Sequence, residues 1–517
     1  MTRISTKPYF GTLLFILIIK ALFVTWMIVN SQIGLSPDEA QYWTWSQNID
    51  WGYYSKPPGI AWQIWLGTSI FNNSVLGVRV LSVVIGFFTP LLLYILARKC
   101  KLSPQASFWA ATIFAFSPLG FMASILAITD VGMVFFWICA LIVIAESLEI
   151  KMPPHYPLLG LFIACGALFK WPIYLLWIVL IASMPLFPVL KNKNFITGFF
   201  ISLLGLVPSF TWNIKNDWAT FRHVSASVAG SPLQTENHSL VGNPLEFIGA
   251  QFALVSPILF ILLLMALYSI YKHKNQTQRS LLFCAFTTAT LLTFVTALSL
   301  FKKVQGNWVD YAYPTAFVVI AWFACDEIKW KQRLMEIGVA LSILLCLFAV
   351  TIPHAQALNL YPTLKIPYKL NPFRHNVGWK NLRKALKIVG YNPNEEFLFS
   401  SKYQMSSILN FYGPEQNRTY FLNIHGVRKN QFSFWPPMAE EQIGKTGIYV
   451  VTDNAPHLQK LRLQVPNLIV KLSPYFERID YLGYYPIFDC YGEPCKAALL
   501  FKCKNYNGKE PKNFVLY

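Results

Sequence analysis

Charge is scarce in this chain. Asp, Glu, Lys and Arg make up 13% of its 517 residues, while 55% are hydrophobic. That is too little charge for the surface of a soluble enzyme of this length, and too much apolar content for disorder. Acidic residues are the scarcer sign, 24 against 43 basic, for a formal net charge of +19. The excess does not mark a nucleic-acid binder. No such motif is present, and the basic residues fall in short loops between apolar runs, where anionic lipid headgroups are the natural partner, and in a basic tail. Zinc-type Cys and His spacing is absent, as are a phosphate-cradling Gly-rich loop of the Walker type, an internal repeat and a low-complexity tract. Six of the nine cysteines lie within or at the ends of apolar runs, where a thiol behaves as a small hydrophobe. Cys490 and Cys495 flank the turn-like Tyr491-Gly492-Glu493-Pro494, and their spacing allows a disulfide in an oxidising compartment; with Cys503 there are three cysteines in this region, so one is left over.

What the sequence has is apolar runs. They recur at 10–31, 75–97, 104–126, 130–148, 156–170, 171–190, 195–212, 247–271, 280–301, 308–325 and 334–353. Several are shorter than the ~20 residues a full span needs. The first is longer than a signal-peptide core and lacks a cleavage site, so it reads as a retained span with Arg3 and Lys7 on the cytoplasmic side. Basic residues then mark alternate loops: Arg98, Lys99 and Lys101; Lys151; Lys191 and Lys193; Lys272, Lys274 and Arg279; Lys329, Lys331 and Arg333. This follows the positive-inside rule and predicts a cytoplasmic N-terminus. It places 31–74, the Thr129-Asp130 turn, 213–246, the 302–307 turn and everything after about 354 on the outer side. The expected fold is mostly α, with a membrane module over 1–353 and an α/β domain over 354–517. In that domain 381–387 reads as an amphipathic helix, and 397–400, 447–452 and 497–502 read as strands.

The outer loops carry the informative charges. Between Ser31 and Ser74 the charged residues are Asp38, Glu39, Asp50 and Lys56, set among aromatics. Ser36-Pro37-Asp38-Glu39 is a well-formed helix start: Ser36 as N-cap, Pro37 at N1 and Glu39 completing a capping box. That explains Glu39 better than Asp38. Lys56 sits in Tyr53-Tyr54-Ser55-Lys56-Pro57-Pro58-Gly59, as a snorkelling lysine or as a point charge for a phosphate. Asp130 caps a helix or faces the same cavity as Asp38. Lys170 interrupts an apolar stretch on the side where basic residues are rare, and such charges lean functional. Arg222-His223 and Lys302-Lys303 add outer-side basic groups. Acids and bases from separate loops at one membrane depth suit a substrate with an interfacial phosphate, a tail in the bilayer and a hydroxyl to be deprotonated. A lipid-substrate transporter or flippase would also explain the spans, but not the outer domain or charges gathered at an interface instead of the midplane.

Three segments carry a family resemblance. They are Asp38-Glu39 followed by Tyr53–Gly59; Leu168-Phe169-Lys170-Trp171-Pro172; and Ser401–Tyr403 through Phe411–Gly413 to Arg428–Pro436. In this order they resemble the GT-C superfamily of integral-membrane glycosyltransferases. The similarity is to the bacterial polyprenyl-phosphate-sugar branch, which includes the lipid A aminoarabinose transferases and is related to the protein O-mannosyltransferases. The resemblance implies a GT-C module of about 11–13 spans with a periplasmic C-terminal domain, in the bacterial inner membrane. It implies inverting transfer of a sugar from polyprenyl (undecaprenyl) phosphate to a lipid A, glycan or protein acceptor, by a monomer and with no cofactor required. Asp38 and Asp130 would be the catalytic acids, and Lys56, Lys170, Arg222, His223, Lys302 and Lys303 would bind the donor phosphate. Glu39, Tyr53, Tyr54, Trp308 and Tyr311 would line the substrate cavity. Two departures stand out: Ser55 replaces a glutamate associated with a metal site, so no metal is expected, and the Leu-Pro-Thr-Tyr segment is changed to Gly306–Tyr311.

Overall fold

A computed structural model describes residues 7–229, 242–326, 328–360 and 365–511. Arg3 and part of the 213–246 loop lie outside them. Among the described residues six helices are long and apolar enough to cross a membrane: α1 Lys7–Asn30, α4 Val75–Lys99, α7 Thr129–Ile150, the nearly continuous α10–α11 (Asn194–Leu203 and Val207–Lys215), α15 Arg279–Phe301 and α17 Lys329–Ala357. Between them stand α2 Pro37–Ser46, α3 Gly59–Phe71, α5 Pro104–Phe116, α6 Pro118–Ala123, α8 Tyr156–Ala167, α9 Leu175–Ser183, α12 Ala219–Ala229, α13 Pro244–Val255, α14 Pro257–Lys272 and α16 Tyr313–Ala324.

Four expected spans are shorter or broken, for visible reasons. The 104–126 run breaks at Ser117-Pro118, where Ser117 leaves helical geometry and its hydroxyl caps α6 by accepting from the Gly120 N–H at 3.2 Å. Lys170 is extended, separating α8 from α9. The 308–325 run begins as a short turn and leaves α16 only 12 residues. The 247–271 run is bent by 103° at Ser256-Pro257. A seventh span exists only if that bent pair counts as one.

The ends of the bundle differ in charge. Lys99 at the end of α4 pairs with Glu146 near the end of α7. Glu149 on that last turn accepts from both the Ser280 N–H (3.0 Å) and its hydroxyl (2.6 Å) at the start of α15. The basic loops after α4 and α7 and before α15 therefore share one end. The first long loop meets the opposite end, where α4 and α7 begin.

At that opposite end Glu39 and Arg79 are both fully buried. Arg79 Nε and Nη2 donate to the two Glu39 oxygens at 2.7 and 2.8 Å, a bidentate pair. The remaining Arg79 donors reach the Ile33 (3.2 Å) and Gly34 (2.7 Å) carbonyls. Glu39 also accepts from the Ser36 N–H at 2.8 Å and the Ala127 N–H at 3.0 Å. The expected capping box is present, with the Glu39 N–H donating to Ser36 Oγ at 3.2 Å. One carboxylate thus starts α2, fastens it to α4 and holds the chain entering α7.

The C-terminal part holds a five-stranded mixed sheet: β1 Glu396–Ser400, β2 Tyr420–Phe421, β3 Thr446–Asn454, β4 Phe476–Cys490 and β5 Glu493–Tyr506, in the order β2-β1-β3-β5-β4. β1 pairs in parallel with β2 and β3; β5 is antiparallel to β3 and β4. The cysteine pair flanks the β4–β5 turn, and both thiols are free. The helices α18 Trp379–Ile388 and α19 Tyr403–Tyr412 pack against this sheet. α19 also rests on α2: Phe411 meets Trp43 edge to face at 4.9 Å, and the Tyr412 hydroxyl accepts from the Leu35 N–H at 2.7 Å.

Removing one partner of a fully buried ion pair leaves the other charge without compensation, which costs about 3–5 kcal/mol. Arg79→Ala is therefore expected to lower the thermal midpoint of the purified protein sharply, with loss of monodisperse material on heating. A wild-type midpoint would show that Arg79 does not hold this end together.

Candidate active site

The first long loop carries Asp38 and Lys56, and three contacts place them. Tyr53 is fully buried, stacked on Trp45 at 4.7 Å with an interplanar angle of 9°. Its carbonyl accepts from the Thr220 hydroxyl at 3.0 Å, and Asn213 grips Thr220 in turn, so the corner between α11 and α12 clamps the loop. The Gly59 N–H donates to the Leu168 carbonyl at 2.7 Å. A Cβ at Gly59 would lie 2.6 Å from that oxygen, so only glycine permits the approach. This brings the Lys56-Pro-Pro-Gly turn against the Leu168-Phe169-Lys170 corner. Phe169 also packs onto Gly132, where a Cβ would meet the ring at 2.4 Å, and α7 is thereby pressed against Lys170.

The result is a recess ringed by charge. Lys170 Nζ pairs with Asp130 Oδ1 at 2.6 Å, both mostly shielded from solvent. Asp38, on the first turn of α2, has a solvent-exposed side chain at the edge of the recess. Loss of surrounding water raises its pKa above the ordinary 3.8; Lys56 opposes the rise and Glu39 adds to it. Burial lowers the Lys56 pKa, and Lys170 lowers it further, while Asp130 and Asp38 hold it up. His223 on α12 stacks against Tyr54 at 4.8 Å. Burial, then Arg428 and Lys56, push its pKa down to about 4, so at neutral pH it is an uncharged acceptor. Alongside lies a cavity of about 160 Å³ lined on its polar side by Asp130, Asp310, Asn307 and Thr89, and elsewhere by apolar residues of α4 to α7.

Of the residues expected from sequence, Asp38, Lys56, Asp130, Lys170 and His223 converge here. Arg222 is on the same helix as His223, with an exposed side chain. Lys302 is half-buried and Lys303 exposed, on the turn whose Val304 N–H donates to Asn243 at 2.9 Å. Glu39 and Tyr53 are not cavity residues. Both Glu39 oxygens are engaged within the fold, and Tyr53 is buried with its hydroxyl donating to backbone carbonyls of α2 and its exit. Tyr311 is likewise in the bundle core, its ring 5.2 Å from Trp137, and Trp308 is exposed; neither lines the 160 Å³ cavity. Tyr54 is buried beneath His223 and Phe434.

Sequence reading missed Arg79, Asp310, Tyr403 and Arg428. Arg79 had a signal, as the one charge in the 75–97 run. Asp310 had a weaker one, opening the 308–325 run; it is 7% exposed, and its Oδ1 has no hydrogen-bond partner. Tyr403 and Arg428 fall in the third resemblance segment but carried no sign of a place at the site, because only the docking of the C-terminal domain brings them here. Among the described residues no three His, Cys, Asp or Glu side chains group as a metal site.

The chain is similar to known proteins in sequence and in fold. The family model for dolichyl-phosphate-mannose-protein mannosyltransferase matches residues 55–212. The lipid A galacturonosyltransferase RgtD of Rhizobium johnstonii is 27% identical over 340 residues, 64% of this chain and 70% of that protein. The undecaprenyl phosphate-alpha-4-amino-4-deoxy-L-arabinose arabinosyl transferase of Pseudomonas aeruginosa is 30% identical over 182 residues, 32% of each chain. In fold, the chain is similar to ArnT from Cupriavidus metallidurans with a TM-score of 0.59 at 13% identity. The match covers 95% of this chain and 98% of ArnT in the apo state, and 94% and 97% in the form bound to undecaprenyl phosphate.

The His223 environment predicts a pH dependence of stability. The unfolded chain takes up this proton near pH 6.5, the folded protein only near 4. Between those values the unfolded state binds more protons, so stability from this residue falls as pH drops from 6.5 to 4 and is level outside that window. His223→Asn should flatten this part of the thermal-midpoint profile. An unchanged slope would show that His223 is not held neutral.

Proposed function

This chain is a multi-pass membrane glycosyltransferase with the GT-C fold, and we propose that it transfers a sugar from a polyprenyl-phosphate carrier to lipid A on the periplasmic face of the inner membrane. The observation that carries the proposal is the recess in which Asp38 and Lys56 act on one another beside the Asp130–Lys170 pair. Lipid A is favoured over another glycan or a protein because the relative matched over 64% of this chain is a lipid A transferase. The periplasmic face is supported by the positive-inside rule, as the basic loops after α4 and α7 and before α15 share the end of the bundle opposite the site.

The reaction is a single displacement at the anomeric carbon. A hydroxyl oxygen of the acceptor forms a bond to that carbon as the bond to the phosphate oxygen breaks, inverting the centre. Asp38 accepts the hydroxyl proton, and the raised pKa makes it a stronger base than an ordinary aspartate. The carrier leaves as a polyprenyl phosphate monoester. Lys56 stabilises the charge developing on that phosphate, in an enclosed setting where a cation acts more strongly than in water. Asp130 neutralises Lys170 and fixes its ammonium at the rim. The donor arrives already bound to phosphate, so the displacement calls for no nucleotide and no divalent metal.

Two measurements test this. In membranes supplied with polyprenyl-phosphate sugar and lipid A, Asp38→Asn is expected to lower kcat at least ~100-fold, the lower part of the general-base range, while inserting and folding normally; full activity would remove Asp38 from the mechanism. Lys56→Ala should raise the apparent KM for donor, and an unchanged value would remove its phosphate role. Because Asp38 acts deprotonated, kcat/KM of the wild type should decline on acidification with an apparent pKa above 3.8.

A further inference from the structure

The outer domain contributes more than a cover to the recess. Its segment 427–434 is pinned at both ends. Asn423 closes a ring with Val427, donating to its carbonyl at 2.8 Å and accepting from its N–H at 2.9 Å. At the other end Gln431 Oε1 accepts from the Tyr54 N–H at 2.7 Å, and Phe434 packs on Tyr54 and Trp212 at 5.9 and 5.5 Å. Tyr54 is two residues before Lys56, so the segment is tied to the loop that carries the phosphate-binding lysine.

Arg428 projects from this segment to the same recess. Its Nη1 lies 2.7 Å from His223 Nδ1 and 3.1 Å from Nε2, and it hydrogen-bonds Tyr403. Its charge is felt at Lys56. Two neighbouring cations have a carboxylate: Lys170 has Asp130 and Arg79 has Glu39. Among the described residues neither Lys56 nor Arg428 has a carboxylate within 4.0 Å. Two like charges from different domains face one recess, with a neutral histidine between them in place of an acid. An arginine presents five N–H donors in a planar fork, and these neutral contacts leave donors over. That arrangement has the chemistry of a phosphate monoester site, with one point-charge ligand and one capable of bidentate contact.

We infer that Arg428 is the second cation of the donor-phosphate site, so that the outer domain supplies half of the phosphate grip. This rests on the polyprenyl-phosphate reading above.

The experiment measures binding of undecaprenyl phosphate, without sugar, to the purified full-length protein, with lipid A as a separate arm. Arg428→Ala is expected to weaken undecaprenyl phosphate binding ~10- to 100-fold, the range for losing a hydrogen bond to a charged group. Its ligand-free thermal midpoint should stay near wild type, and Arg428→Lys should recover most of the affinity. Arg428→Gln retains a donor for His223 and Tyr403 but lacks the charge, and should bind as weakly as the alanine variant. Wild-type affinity in either the alanine or the glutamine variant would overturn the inference. So would a loss confined to the lipid A arm, which would assign Arg428 to an acceptor phosphate. Failure of the wild type to bind undecaprenyl phosphate would overturn the donor class itself, and this inference with it.

Discussion

The buried Glu39–Arg79 pair holds the catalytic end of this molecule together. A carboxylate and a guanidinium out of water are tolerated only when all their hydrogen-bonding capacity is used, and here it nearly is. Glu39 accepts from Arg79, from the cap of α2 and from the chain entering α7; Arg79 spends its remaining donors on carbonyls between α1 and α2. Three chain segments therefore have one permitted relation at this point. Asp38 is adjacent to Glu39 and Asp130 is three residues beyond Ala127. Asp38 and Asp130, the carboxylates proposed to face the substrate, are positioned by a pair that is itself fully buried.

The remaining constraints act at shorter range. Glycine at 59 allows the loop to close on the Leu168 carbonyl, and glycine at 132 allows α7 to close on Phe169. These two approaches bring Lys56 and Lys170 together from positions more than a hundred residues apart. The aromatic content of the first loop, which on sequence reads as an interfacial belt, serves largely as packing. Trp43, Trp45 and Tyr53 form a core shared with α19 of the outer domain. The outer domain is thus docked on the loop that carries the chemistry.

The neighbouring carboxylates, Asp38 and Glu39, illustrate how position on a helix divides roles. Glu39 points inward and is consumed by structure. Asp38 points to the recess and keeps its oxygens available, with a pKa raised by enclosure. Asp130 and Asp310 line one cavity but differ in the same way: Asp130 is matched by Lys170, while one oxygen of Asp310 has no partner. His223, held neutral by burial and by Arg428, adds no negative charge where the C-terminal domain meets the recess.

Much of this was legible in the sequence. Apolar length and loop charge determined a polytopic membrane protein, the capping signature determined the start of α2, and misplaced charges pointed to Asp38, Lys56, Asp130 and Lys170. These are local or one-dimensional properties: a span is set by its own hydrophobicity, and a cap by residues three apart. The tertiary structure decided the rest. It broke expected spans at Ser117-Pro118 and Ser256-Pro257 and shortened the 308–325 run, because packing against neighbouring helices tolerates what an isolated span would not. It moved Glu39, Tyr53 and Tyr311 from the cavity into the core, since which way a side chain faces depends on what its helix meets. It brought Arg428 to the site, a role its sequence segment did not reveal, because the pairing of a C-terminal-domain loop with a membrane-module loop exists only after both have folded.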